Sequence, residues 1–209
     1  MSSLLPLLAS DFLPRFLAGM LVNFEIAAIA LIIGLALGMV LALGRLGGGL
    51  ARGAAATVVG LMRAAPTFVV MFFLLNAVPR DATVFGQPVA LSGVMIVALS
   101  LVPYSAAYVS DAGLDMLRHL RDGSRVSALL FLPNVTRAFF VLVMSSGAAA
   151  AIGVTEGITV ILRQAELLPG LDQRLALFAF GIAMFGIPLQ LGFAAIRWIQ
   201  RRVGRQEQA

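Results

Sequence analysis

Between its charged residues the chain runs apolar for 18 to 28 residues at a time, five times over. A hydrocarbon layer about 30 Å thick is crossed by about 20 apolar residues rising about 1.5 Å each, so every run is long enough for a spanning helix. The runs are 17–44, broken only by Glu25, then 54–79, broken by Arg63, then 88–110, 138–155 and 175–196. Of the 209 residues 60% are apolar and 12% charged, too little polar surface for a water-soluble domain of this size. The reading is an all-α integral membrane protein with five spans in one domain, 1–209, and no separate soluble domain. The first run has no basic stretch before it and is too long for a signal-peptide core, so it is expected to remain a membrane helix.

Fifteen Arg, no Lys and ten acids give a net charge of +5. The Arg are dispersed between apolar runs, which argues for a membrane protein and against a nucleic-acid binder. Eleven fall in one set of loops and tails (45, 52, 63, 118, 121, 125, 137, 197, 201, 202, 205) and four in the other (15, 80, 163, 174). With the richer set inside, the N-terminus lies outside and the C-terminus in the cytoplasm. The basic tail is then expected against inner-leaflet lipid. The absence of Cys excludes disulfides and thiolate chemistry. One His, His119, builds no metal site, and no Ser–His–Asp set can be drawn, so the chain is expected to carry no catalytic residues and no metal.

Several residues stand out against this background. Glu25 is the only ionisable residue well inside an apolar run, where a carboxylate is costly. It reads either as a substrate-amine contact or proton relay, or as a structural acid hydrogen-bonded to a neighbouring helix. Pro66 lacks a backbone donor and restricts Ala65, which predicts a break in the second span close to Arg63. Arg63 itself is expected to snorkel to the interface or to serve a gate. Ser145 and Ser146 are the polar cluster of the fourth span and either bond their own helix or line a cavity. Gly34 and Gly38, and Gly147 with the four Ala after it, make small-residue faces for close helix packing or a subunit interface. Gly47 to Gly49 predict a flexible turn without the residues of a phosphate loop. Leu167-Leu168-Pro169-Gly170 suggests a short amphipathic piece and then a turn.

Five of these local patterns, in order along nearly the whole chain, resemble one family. They are Gly19-Met-Leu-Val-Asn23-Phe24-Glu25-Ile26; Gly34 and Gly38 running on to Ala42-Leu43-Gly44-Arg45; Arg63-Ala64-Ala65-Pro66-Thr67; Ala98-Leu99-Ser100 with Ser105-Ala106-Ala107-Tyr108-Val109-Ser110-Asp111; and Ile152-Gly153-Val154-Thr155-Glu156, while the inner loop keeps Gly123-Ser124-Arg125 and Leu132-Pro133. The family is that of the permease subunits of bacterial ABC importers for polar amino acids.

The resemblance implies an inner-membrane, multi-pass subunit forming half of a translocation pore for amino acids or related small polar solutes. It implies as partners a second permease, a cytoplasmic ATPase dimer that holds ATP and Mg, and an extracytoplasmic solute-binding protein. Glu25, Pro66, Ser145 and Ser146 become candidates for the translocation path. The stretch 116–133 becomes the ATPase-docking loop, with Arg118, Arg121, Asp122, Gly123, Ser124 and Arg125 as its candidate contacts. That stretch lacks the family's Glu-Ala-Ala and is shorter than usual. The family's Lys-Asp-Thr-Ser appears in the fourth span as Met144-Ser145-Ser146-Gly147. Both reductions point to a heterodimer whose other permease carries more of the coupling and recognition. The same reductions support an alternative, a non-transporting membrane scaffold or assembly subunit that keeps the fold; a third reading, resting on Glu25, is a proton-coupled secondary carrier.

Overall fold

The computed structural model describes residues 11–77, 83–84, 87–88, 91–124 and 131–206. In chain order the helices are α1 (Phe12–Leu46), α2 (Gly49–Ala64), α3 (Thr67–Ala77), α4 (Gly93–Arg121), α5 (Phe131–Ser145), α6 (Gly157–Glu166) and α7 (Leu171–Gln206). A 3₁₀ segment, Ser146–Ile152, continues α5, and Thr83–Val84 pairs antiparallel with Gln87–Pro88. Among the described residues four helical stretches are long and apolar enough to cross a membrane: α1, α4, α5 with its 3₁₀ extension, and α7 up to Trp198. The α2–α3 pair makes a fifth if it counts as one span.

That pair carries the break expected at Pro66. α2 stops at Ala64, Ala65 is extended at φ −71° and ψ 114°, and α3 departs at 91°. Proline supplies no donor and disfavours helical backbone in the residue before it, so the chain turns there. The described part of that run, 54–77, is therefore a sharply bent element and not one straight helix.

Several helix ends lie beyond the apolar runs because a reading from apolar runs stops at the first charge, and a helix does not. α4 extends past Ser110 to Arg121. Ala112, Gly113 and Leu114 are buried on one face, while Asp111, Asp115, Arg118 and Asp122 follow at steps of four, three and four on the other. Similarly, α5 begins at Phe131, with Arg137 exposed and Ala138 buried. The mixed charges assigned above to an inner loop thus belong largely to the last turns of α4.

α1 and α4 form the most extensive helix contact, and the small-residue seam lies inside it. A Cβ on Gly38 would sit 2.7 Å from the carbonyl oxygen of Ala106, and one on Gly34 only 2.1 Å from Ser105 Oγ. The seam packs within this bundle, as small residues in membrane helices do. Around it, Phe16, Ile26, Ala30, Val97, Leu101, Leu142 and Leu177 belong to one continuous buried core. α7 is the most exposed of the candidate spans. Between α1 and α2 the turn runs through Gly47 and Gly48 to Gly49, whose φ of +58° is a left-handed conformation that suits glycine.

Candidate functional site: two polar ties along α1

The first tie is buried. Glu156 and Asn23 are both wholly inaccessible, one just before α6 and the other in the upstream part of α1. Asn23 Nδ2 donates to Glu156 Oε2 and to Ser146 Oγ, each at 2.8 Å. In return Asn23 Oδ1 accepts from the backbone N–H of Gly157 at 2.9 Å. Glu156 caps α6: Oε2 accepts from Ile158 N, and Oε1 from Thr159 N and Thr159 Oγ1, all at 2.8 Å. These bonds occupy N–H groups that the first turn of a helix leaves without intrahelical partners. Ser146 Oγ passes its own proton to the Val143 carbonyl at 2.7 Å, where α5 tightens into the 3₁₀ turn.

Backbone proximity makes this geometry possible. A Cβ on Gly19 would lie 2.8 Å from both Glu156 C and Gly157 N, so α1 and the start of α6 touch main chain to main chain. Upstream, the 3₁₀ turn ends in a left-handed Gly153 at φ +81°, with Val154 N bonded to Ala149 O and Gly153 N to Ala150 O. This is a Schellman closure, and it aims the chain back at α1. With two donors on each oxygen, the Glu156 carboxylate is fully engaged and acts as a structural joint.

The second tie lies at the other end of α1. The 22-residue step from Asn23 to Arg45 rises about 33 Å, close to a hydrocarbon thickness. Arg45 Nη1 donates to Asp111 Oδ1 at 2.7 Å and to Ser110 Oγ at 3.2 Å. The other oxygen of Asp111 is bonded to Arg63 Nη2. One carboxylate on α4 thereby holds α1 and the end of α2, immediately before the break at Pro66. Arg63, expected to snorkel or gate, is ion-paired here, with its side chain 62% exposed. Arg45, Arg63 and Asp111 stand in three separate motifs of the resemblance, and the fold brings them to one place.

The candidate translocation residues are not gathered together. Ser146 is spent in the buried tie, and Ser145 is half-buried beside it. Pro66 lies in the break. Glu25 is exposed on the face of α1 that also carries Leu21 and Ile32, and it forms no hydrogen bond to a neighbouring helix among the described residues. Of the candidate docking residues, Arg118, Arg121, Asp122 and Gly123 are exposed at the end of α4. Arg118 lies 3.8 Å from Asp115. Gly123, at φ +81°, closes the helix with Ser124 N bonded to His119 O and Gly123 N to Leu120 O. Arg125 and Arg80 lie outside the described residues. Among the described residues no group of three or more His, Asp or Glu side chains is placed to hold a metal ion.

Asn23, Glu156 and Thr159 were not singled out as a site from sequence. The available signal was local: an acidic residue just after Gly153 and just before a strongly amphipathic ten-residue helix, which is a capping position.

No protein-family model matches the sequence, and no curated protein matches it. The fold does have a counterpart among solved structures. A chain from a crystal structure described as an amino acid ABC transporter with histidines superposes with a TM-score of 0.67 at 17% identity. The similarity covers 92% of this chain and 95% of that one. The two chains thus share a fold over nearly their whole length, the fold that the resemblance in sequence implied.

Proposed function

We propose that this chain is the membrane-spanning subunit of an ATP-driven importer for amino acids or related small polar solutes, and forms half of the translocation pore. The observation that carries the reading is the shared fold over nearly the full length of both chains, with a transporter of amino acids as the counterpart. In this reading the N-terminus lies outside and the C-terminus in the cytoplasm of a bacterial inner membrane. The partners are a second, different permease, an ATPase dimer that binds ATP and Mg, and an extracytoplasmic solute-binding protein. The chain itself performs no hydrolysis.

Mechanistically, closure of the ATPases draws in the ends of α4 through Arg118 and Arg121. α4 carries Asp111, so that motion reaches Arg45 on α1 and Arg63 at the bend of α2–α3. Glu25, exposed on an apolar face, then faces the path or the other permease, since a carboxylate turned to lipid is costly.

A scaffold role is the second reading. It is favoured by two observations: the polar side chains Asn23, Ser146 and Glu156 are consumed by one another, and only residues 122–130 separate α4 from α5. Affinity purification in mild detergent, followed by mass spectrometry and uptake assays in proteoliposomes, separates the two. The importer reading expects a copurified ATPase and second permease with ATP-dependent solute uptake. Recovery without any ATPase overturns that reading, and an ATPase bound without uptake moves the assignment to a scaffold.

A further inference from the structure

A cleft of about 390 Å³ opens between α1 and α6 at the Phe12 end of the bundle. Two guanidinium side chains line it, Arg15 from α1 and Arg163 from α6, together with Gln164 and the apolar Phe12, Val22 and Leu167. From the Gly19–Gly157 contact, Arg15 lies about 6 Å of helix rise back along α1 and Arg163 about 9 Å on along α6, and both line the cleft at this level of the bundle. Arg15 is also the last charge before the apolar run of the first span, which places this level at the boundary between hydrocarbon and headgroups.

The charge in the cleft is poorly compensated. Among the described residues Arg15 pairs with Asp11, one turn away at 3.2 Å, and the pair is largely exposed on both sides. Arg163 has no carboxylate within ion-pair distance among the described residues. Two planar guanidinium forks over an apolar floor match a phosphate oxygen pair with a hydrocarbon chain below it.

We propose that this cleft is a binding site for an acidic phospholipid. Arg15 and Arg163 hold the phosphodiester, Gln164 donates to a headgroup oxygen, and an acyl chain begins along Phe12, Val22 and Leu167. A zwitterionic lipid would bring its own cation against two arginines, so the site selects anionic headgroups. A free phosphate would leave the apolar floor bare. The site requires only that the chain sits in a bilayer, and it stands apart from the import reading.

The test uses native mass spectrometry of the full chain in detergent with phosphatidylglycerol or phosphatidylcholine of identical acyl chains. Each interfacial Arg contributes about fivefold to anionic-lipid binding, so phosphatidylglycerol should be retained about twenty-five-fold better. The double variant Arg15→Gln/Arg163→Gln should erase that preference, while Arg15→Lys/Arg163→Lys should keep most of it. If the double variant fails to fold, each exposed single variant, Arg15→Gln or Arg163→Gln, should lose about fivefold. Equal retention of the two lipids overturns the site. So does a preference that survives the double variant, which would place the lipid at the basic C-terminal end. Inorganic phosphate binding as tightly as phosphatidylglycerol would assign the cleft to free anions and overturn the lipid proposal.

Discussion

Removing the Glu156 carboxylate tests whether the buried tie holds α6 to α1. In Glu156→Ala, Thr159 Oγ1 can turn to the Val154 carbonyl, already 3.2 Å away, and Asn23 keeps its bond to Ser146. Three donors are then left without partners, one N–H of Asn23 and the backbone N–H of Thr159 in buried positions and the backbone N–H of Ile158 in a part-buried one. Three groups at about 1–3 kcal/mol each span about 3–9 kcal/mol, and because the part-buried Ile158 N–H can turn to water the expected loss lies in the lower part, about 3–5 kcal/mol. Glu156→Gln is milder. Its amide oxygen can accept from Asn23 and Ile158, and one hydrogen of its NH₂ can go to the Thr159 hydroxyl, so Thr159 N–H and the second amide hydrogen are stranded, two groups against three, at about 2–4 kcal/mol. The assay is SDS-driven unfolding of the purified protein in mixed micelles, with the fraction folded followed by circular dichroism. A Glu156→Ala loss below about 1 kcal/mol, comparable to an average interhelical hydrogen bond in a membrane protein, would refute the reasoning. An Ala variant no less stable than the Gln variant would refute it equally.

Gly38→Ala should cost about 1–3 kcal/mol in the same assay, because its Cβ meets the Ala106 main-chain carbonyl, whereas Gly60→Ala, in open space, should be neutral or slightly stabilising. Asp111→Asn should change stability by only roughly 0–1 kcal/mol, since the pairs are partly exposed, yet it should speed thiol labelling of a cysteine introduced at Ala65; an unchanged labelling rate would show that Arg63 does not restrain the bend. A reporter fused after Ala209 should be active only in the cytoplasm, and periplasmic activity would invert the proposed topology. The triple variant Arg118→Ala/Arg121→Ala/Arg125→Ala should still insert but recover less ATPase, and undiminished recovery together with undiminished uptake would make the end of α4 a bystander.

What could be read from the sequence was set by locality. Apolar runs are local, and they located the spanning helices; Pro66 acts on its own neighbours, and the break fell there. Helix ends were missed wherever charge was taken to mean loop, because the faces of α4 after Ser110 separate only once Asp111, Asp115 and Arg118 are placed on a helical wheel. The buried tie joins residues 133 positions apart and depends on a main-chain contact that only Gly19 and Gly157 permit. Nothing in the spacing of Asn23 or Glu156 announces the other. A capping position before α6 was visible, but its acceptor's second role, holding α1, is a property of the fold.

The two ties differ in a way that assigns different duties to the two ends of α1. At Asn23 every donor and acceptor is matched and water is excluded, so any relative movement of α1 and α6 exposes unpaired groups in a low-dielectric interior at several kcal/mol. At Asp111 a single carboxylate is divided between two guanidinium groups, with 42% of its side chain exposed, and water can replace either arginine at small cost. A displacement of α6 against α1 is therefore resisted at the buried end, whereas one of α4 against α1 is tolerated by the contact at the charged end. Arg63 is the more exposed of the two partners and stands directly before the break at Pro66, so it is the contact that gives first. The bend between α2 and α3 is then the element of this bundle that can change angle while the α1–α4–α6 core keeps its packing.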